Sequence, residues 1–375
     1  MTLEPAHPVA VTPRELLRLR LASQRIESPS STPLDVAGVV RHLLALQAQD
    51  FAQGLWAVAL RAPGATKSDV LAALDEGRVI RSWPMRGTLH FLPPEDLRWI
   101  LALTAERTLK GAASRFRGLG IDETTLTRAT EVARAELGGG ARLSRDELFA
   151  ALGRAGIDTA GQRGSHIVFA LSHRAIICWG PTHKNQQALV LVDDWIPRQP
   201  ARERTDALRS YALGYFRGHG PATLADFAWW SKLTLADART GLAAALDDLV
   251  ELSCDGTTYW MTRDEMDAAG PAPSRASGRV HLLPGFDEYL LGYTDRSLAL
   301  TPEHFDRVVP GTNGIFLPII VSRGRVVGTW RRPPGASPGA IPSGSITTDV
   351  FETLGTRDTA TLDRAAREWS RYAAG

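Results

Sequence analysis

The chain is poor in cysteine, in lysine and in long apolar runs. Its 375 residues hold two cysteines, Cys178 and Cys254, without C-x-x-C spacing. That excludes a disulfide framework and a cysteine zinc site, and it favours a reducing compartment. Met1 to Val11 shows no basic stretch followed by an apolar run, and no segment offers the roughly 20 apolar residues of a membrane span. Neither export nor a bilayer is expected. No Walker or dinucleotide-binding glycine pattern occurs, and no H-E-x-x-H. His166 and His173 stand seven apart with no third ligand, so no metal site is expected. Lysine is confined to Lys67, Lys110, Lys184 and Lys232, and every other basic residue is arginine. A planar guanidinium suits phosphate and guanine, but a GC-rich genome yields the same bias, as the Ala, Gly and Pro content suggests. The formal net charge is only +2, so binding to a polyanion needs basic residues gathered on one face.

What is present is a core-forming chain. With 44% hydrophobic residues, this length supports two to four compact modules. Thr12 followed by Pro13 caps a first helix. After a turn at Ser28–Thr32, Pro33 is expected to open a second helix with Val36, Val39, Val40, Leu43 and Leu44 on one stripe, running toward Gln47. A third helix spans Thr66 to Glu76 and ends at Gly77. Val79 to Leu92 reads as a hairpin, broken at Trp83-Pro84 and turning at Arg86-Gly87.

The order of helices then hairpin returns twice. Helices are predicted at 104–118 and 123–137, after the Ser144 cap, and over Gly161–Arg174, followed by strands at 175–179 and 186–192. A third set comprises helices at 202–217, 223–227 and 234–249, then strands flanking Asp255-Gly256, a strong hairpin signal. A Pro/Ala/Ser-rich linker occupies 270–278. Beyond it, 280–283, 289–292, 314–321 and 325–330 read as strands, followed by a loop at 333–345 and a last helix at 361–373. The expected fold is α+β: winged-helix modules at 12–102, 103–198 and 199–270, then a β-rich, barrel-like domain at 279–375.

The segment Leu43-Leu44-Ala45-Leu46-Gln47-Ala48-Gln49-Asp50-Phe51 is the most informative. Gln47 follows Leu43 by four and Leu44 by three, which puts it on the buried stripe. An unpartnered buried amide costs on the order of 1–3 kcal/mol, so Gln47 is bonded internally or lines a cleft. Residues two apart on a helix point to nearly opposite sides, so Gln47 and Gln49 converge only if the helix ends nearby and the chain extends. By spacing alone, polar caps over the last helical carbonyls are the commoner arrangement.

LLALQAQDF at 43–51 and RSWPMRGTLHFL at 81–92 resemble the AlkZ-like DNA glycosylases, a family that includes YcaQ-type proteins. HLLPGFDEYLLGYTDRS at 281–297 and PIIVSRGRVVGTWRR at 318–332 extend the resemblance over nearly the whole chain. It implies three winged helices around duplex DNA, a β-rich C-terminal domain, no metal or organic cofactor, and a catalytic Q-x-Q motif falling on Gln47 and Gln49. The implied reaction is hydrolytic removal of alkylated purines, N7-alkylguanine above all, leaving abasic sites. In some members it includes unhooking interstrand crosslinks made by genotoxic natural products, and the Q-x-Q branch is often tied to self-resistance. An N7-alkylated guanine is already cationic and leaves without an acid, so two amides that place water and face the developing sugar cation suffice.

Arg86, Thr88 and His90 fall on one side of an extended strand. The resemblance makes them candidate active-site or DNA contacts, although a lone strand histidine is usually structural. Asp50 is expected as a helix-end or turn residue rather than a base. Arg323 and Arg325 mark a hairpin tip for which the resemblance favours DNA contact, although an exposed basic turn is often only solvated. Asp287 and Glu288, beside Tyr289, form a carboxylate pair that could do acid–base work, although solubility at a strand edge is the commoner reading. Gln162, Arg163 and His166 open a helix that faces either DNA or solvent. The competing function is a non-enzymatic winged-helix transcriptional regulator, against which an amide on a buried stripe speaks. Double-stranded DNA is the expected partner and no membrane is. A chain with three modules needs no second copy to surround DNA, so a monomer is expected, cytoplasmic and nucleoid-associated.

Overall fold

The computed structural model describes residues 8–27, 33–184, 186–271, 279–311, 314–332 and 346–374. The predicted turn at 28–32, most of the 270–278 linker and the 333–345 loop lie outside these residues.

Strand β1 (Val9–Ala10) leads into helix α1 (Pro13–Ser23), whose Thr12 cap accepts the Glu15 N–H. Helix α2 (Val36–Leu43) starts at Asp35 rather than Pro33, because the Asp35 carboxylate accepts the Gly38 N–H at 2.7 Å. It stops at Leu43, and the short strand β2 (Leu46–Gln47) follows. Helix α3 (Phe51–Ala59), absent from the sequence reading, precedes α4 (Lys67–Asp75), which a Thr66/Asp69 capping box starts. The hairpin of β3 (Ile80–Met85) and β4 (Thr88–Leu92) turns at Arg86 and Gly87, both at positive φ, the two-residue turn that matches strand twist. An extra residue at Trp83-Pro84 shifts its register.

Helices α5 (Leu97–Gly118), α6 (Glu123–Leu137), α7 (Arg145–Arg154) and α8 (Arg163–His173) precede the second hairpin, β5 (Ile177–His183) with β6 (Gln186–Leu191). The short α9 (Val192–Trp195) leads on to α10 (Arg204–His219), α11 (Leu224–Ser231) and α12 (Leu235–Ala245). The third hairpin, β7 (Leu249–Cys254) with β8 (Thr257–Thr262), turns at Asp255-Gly256 and is followed by α13 (Arg263–Ala269).

The C-terminal part holds β9 (Val280–Leu283), α14 (Glu288–Leu291), α15 (Phe305–Val308), β10 (Ile319–Ser322), β11 (Arg325–Arg331), β12 (Thr347–Val350) and α16 (Thr356–Ala374). The stretch expected as a strand at 289–292 is therefore helical, capped by the Asp287 side chain on Tyr289 N–H. The strand expected from Gly314 begins only at Ile319. The sheet runs β12-β11-β10-β9, all antiparallel, and no pairing among the described residues closes it into a barrel.

The first two hairpins share one five-stranded sheet, ordered β2-β4-β3-β5-β6 and joined where Arg81 pairs with Trp179. Strand β1 pairs in parallel with β7, and α1 packs on the β7–β8 core through Leu16 and Leu19. Val39, Leu43 and Val58 of the first helices share a core with Ile320, Trp330 and Trp369 of the last domain. No helix among the described residues is long and apolar enough to cross a membrane.

Candidate active site

The Q-x-Q segment is delivered by an abrupt chain reversal. Leu44 has φ +66° and ψ −46°, and Ala45 N–H donates to Leu43 O at 2.7 Å. This is a γ-turn in its rarer, strained form, centred on a residue that is not glycine. Helix α10 backs it at close range. A Cβ at Gly218 would lie 2.8 Å from Leu43 Cα, and one at Gly214 would lie 2.8 Å from a Leu44 methyl.

The chain leaves the turn extended, so Gln47 is not on the helix stripe. It sits on β2 opposite His90 of β4. Gln47 is half-buried, Ala48 buried and Gln49 exposed, the alternation of an extended strand that sets Gln47 and Gln49 on one side. Asp50 then caps α3, accepting the Gln53 N–H at 3.1 Å, as expected of a helix-end residue.

Neither glutamine caps α2. Gln49 Oε1 accepts the Leu89 N–H at 3.0 Å. Gln47 Oε1 lies 3.4 Å from Arg86 Nη2, and Gln47 N–H donates to Glu288 Oε1 at 2.9 Å. Arg81, just inside the same hairpin, grips the backbone between them. Its Nε donates to Ala48 O at 2.8 Å, Nη2 to Gln49 O at 3.1 Å and Nη1 to Gln187 Oε1 at 2.6 Å. Burial brings the Arg81 guanidinium down to about 10, with Asp50 opposing that shift, so Arg81 stays charged at neutral pH.

Arg86 lies in the hairpin turn rather than on the strand with Thr88 and His90, yet its side chain reaches His90, which faces inward. Its Nδ1–H donates to Thr88 O at 2.8 Å, and its Nε2 accepts from Arg86 Nη2 at 2.9 Å. Burial, with Arg86 adding to it, holds the imidazole down to about 3, so His90 is neutral and orients Arg86. Arg86 Nη1 donates to Leu291 O at 3.0 Å. Thr88 Oγ1 and Arg86 Nε are buried without a protein partner.

Behind this layer lies Glu288, only 1% exposed, in a place the strand-edge reading did not anticipate. Oε1 takes Gln47 N–H and, at 3.4 Å, Arg86 Nη2. Oε2 takes Trp230 Nε1–H at 2.8 Å and His219 Nε2–H at 3.3 Å. Burial pushes its carboxyl up, but Arg86 and His219 outweigh burial and hold it well below the usual carboxylate range. Its neighbour Asp287 is equally buried, in a two-pronged pair with Arg61 at 2.8 and 2.9 Å. Arg61 also donates to Gln24 O and Oε1. The sequence does not single out Arg81, Trp230 or His219, and Glu288 reads there as a strand-edge acid. For Arg81 and Glu288 the signal was present in the segments RSWPMRGTLHFL and PGFDEYLLGY, and neither was assigned a site role.

Arg323 and Arg325 stand apart from this cluster. Arg323 pairs with Asp358 of α16 at 2.9 Å, Gly324 packs against Leu17 of α1, and Arg325 is exposed. Arg163 is spent on the carbonyls of Asp158, Leu119 and Gly120, and Gln162 accepts from Arg115. No group of three His, Cys, Asp or Glu side chains among the described residues could hold a metal.

The family model described as DNA glycosylase AlkZ-like matches residues 40–372. The interstrand DNA cross-link repair glycosylase of Streptomyces sahachiroi is 29% identical over 332 residues, covering 84% of this chain and 87% of that protein. The solved structure of the Streptomyces sahachiroi DNA glycosylase AlkZ superimposes with a TM-score of 0.75 at 25% identity, over 96% of this chain and 97% of the other.

Proposed function

Because the chain belongs to the AlkZ-like DNA glycosylases, we propose that it hydrolyses the N-glycosidic bond of alkylated purines in double-stranded DNA, N7-alkylguanine in particular, leaving an abasic site. The observation that carries this reading is the pairing of Gln47 and Gln49 on one side of an extended strand, each amide oxygen already fixed by one protein donor. A carbonyl oxygen has two lone pairs. The second of each is free to hold a water and to face positive charge developing on the sugar. No acid is required, because an N7-alkylated base leaves as a neutral molecule from a cation.

Bulky adducts and interstrand crosslinks fall within the proposed substrate range, since the Streptomyces sahachiroi relative carries cross-link repair in its name. Self-resistance to a genotoxic natural product is the proposed setting, with the enzyme a cytoplasmic monomer on chromosomal DNA. The test is a glycosylase assay on duplex containing N7-methylguanine. The wild type should release the base and leave alkali-labile sites, whereas Gln47→Ala with Gln49→Ala should release none. Full excision by the double variant would refute the assignment.

A further inference from the structure

Arg86 poses an electrostatic problem for the proposed chemistry. Its Nη2 stands 3.4 Å from the Gln47 carbonyl, so a full positive charge sits where a cationic base and an oxocarbenium-like sugar would approach. In a buried setting such charges repel strongly. Yet Glu288 Oε1 lies within 3.4 Å of the same nitrogen and accepts Gln47 N–H at 2.9 Å. The carboxylate spends its other oxygen on Trp230 and His219. Asp287 cannot assist, being held by Arg61, and His90 is neutral. Among the described residues the charge of Arg86 therefore meets one carboxylate, that of the buried Glu288.

We propose that Glu288 is a positioning residue: it ties the Gln47 backbone to Arg86 and cancels the Arg86 charge, which lets the site take bases that carry positive charge. This inference rests on the glycosylase reading above for its substrate, but not for its geometry. The carboxylate is buried and its oxygens are taken by Gln47, Arg86, Trp230 and His219. It acts through the strand that carries Gln47 and through the guanidinium that orients the Gln47 amide.

The test is a double-mutant cycle of Glu288→Gln and Arg86→Met, with single-turnover excision of N7-methylguanine and affinity for abasic duplex measured on each protein. Glu288→Gln should slow excision by roughly 100-fold, with affinity changed less than about threefold, since transition-state contacts rather than ground-state binding are lost. Adding Arg86→Met should restore part of that rate, because the uncompensated charge is gone. If the double variant instead shows the product of the two single losses, charge cancellation is wrong. Hydrogen exchange at the Gln47 amide gives a reading independent of activity. It should quicken in Glu288→Gln, and unchanged protection there would overturn the positioning role. Should Glu288→Gln not fold, Glu288→Asp draws the oxygen back by one methylene while keeping the charge, and the same faster exchange is expected. Absence of base release by the wild type would instead count against the glycosylase reading and leave the exchange result standing as the measure of Glu288.

Discussion

The side-chain carbonyl of Gln49 accepts the backbone N–H of Leu89 at 3.0 Å, which fixes the orientation of an exposed amide by tying it to the neighbouring strand. A glutamate at this position keeps that acceptor, whereas an alanine removes it. Gln49→Glu should therefore retain excision within about tenfold of the wild type, while Gln49→Ala should lose about 100-fold. Single-turnover rates on N7-methylguanine duplex, with matched melting temperatures, decide between the two outcomes.

Arg81 is predicted to matter through its fork rather than its charge. Arg81→Lys replaces three separated nitrogens with one, which cannot span the acceptors at Ala48, Gln49 and Gln187, so it should cost about 1–3 kcal/mol of stability. Excision should fall with it, because the Gln49 backbone is released. Urea unfolding measures the first effect and single-turnover kinetics the second. An unaltered excision rate in a destabilised protein would confine Arg81 to folding.

Three buried histidines make stability fall in mild acid. Burial holds His42 and His90 down to about 3 and His173 to about 4, against about 6.5 in the unfolded chain. Below 6.5 the unfolded state takes up protons that the folded state refuses. Stability is thus full above pH 6.5 and is lost as pH falls toward the folded values. Between pH 6.5 and 5 each histidine should contribute a loss of roughly 2 kcal/mol. Urea midpoints at pH 7.5 and 5 should separate accordingly, and His42→Gln should narrow the gap if it folds.

The two arginines of the β10–β11 turn should behave differently on DNA. Both are exposed, but Arg323 also pairs with Asp358. If the turn contacts phosphates, Arg325→Ala should lower affinity and reduce the slope of log affinity against log salt by about one. Arg323→Ala should show a smaller change in slope, since its charge is already met. Fluorescence anisotropy over a salt series reads both, and two unchanged slopes would remove this turn from the interface.

Local chemistry made much of the fold legible. Caps at Thr12 and Ser144, and turns at Arg86-Gly87 and Asp255-Gly256, depend on neighbours in sequence and match the structure. Helix α3 was missed because Gly54 through Ala59 are all buried, which erases the helical period. The fate of Gln47 was hidden for another reason. The reversal at Leu44 is backed by Gly214 and Gly218 of a distant helix, and nothing within the α2 stripe announces it. Glu288 looked like a surface acid because its partners, Gln47, Arg86, His219 and Trp230, come from four separate stretches.

The parallel pairing of β1 with β7 and the burial of Trp369 among the first helices bear on how the protein emerges from the ribosome. Val9 meets Leu252 only after about two-thirds of the chain has been made. The core that holds Val39 and Leu43 is closed by a helix at the far end. The core beneath the segment that carries Gln47 is thus expected to close only once α16 is available. A transcript cut short before α16 should give a product whose Gln47 segment lacks part of the core that holds it.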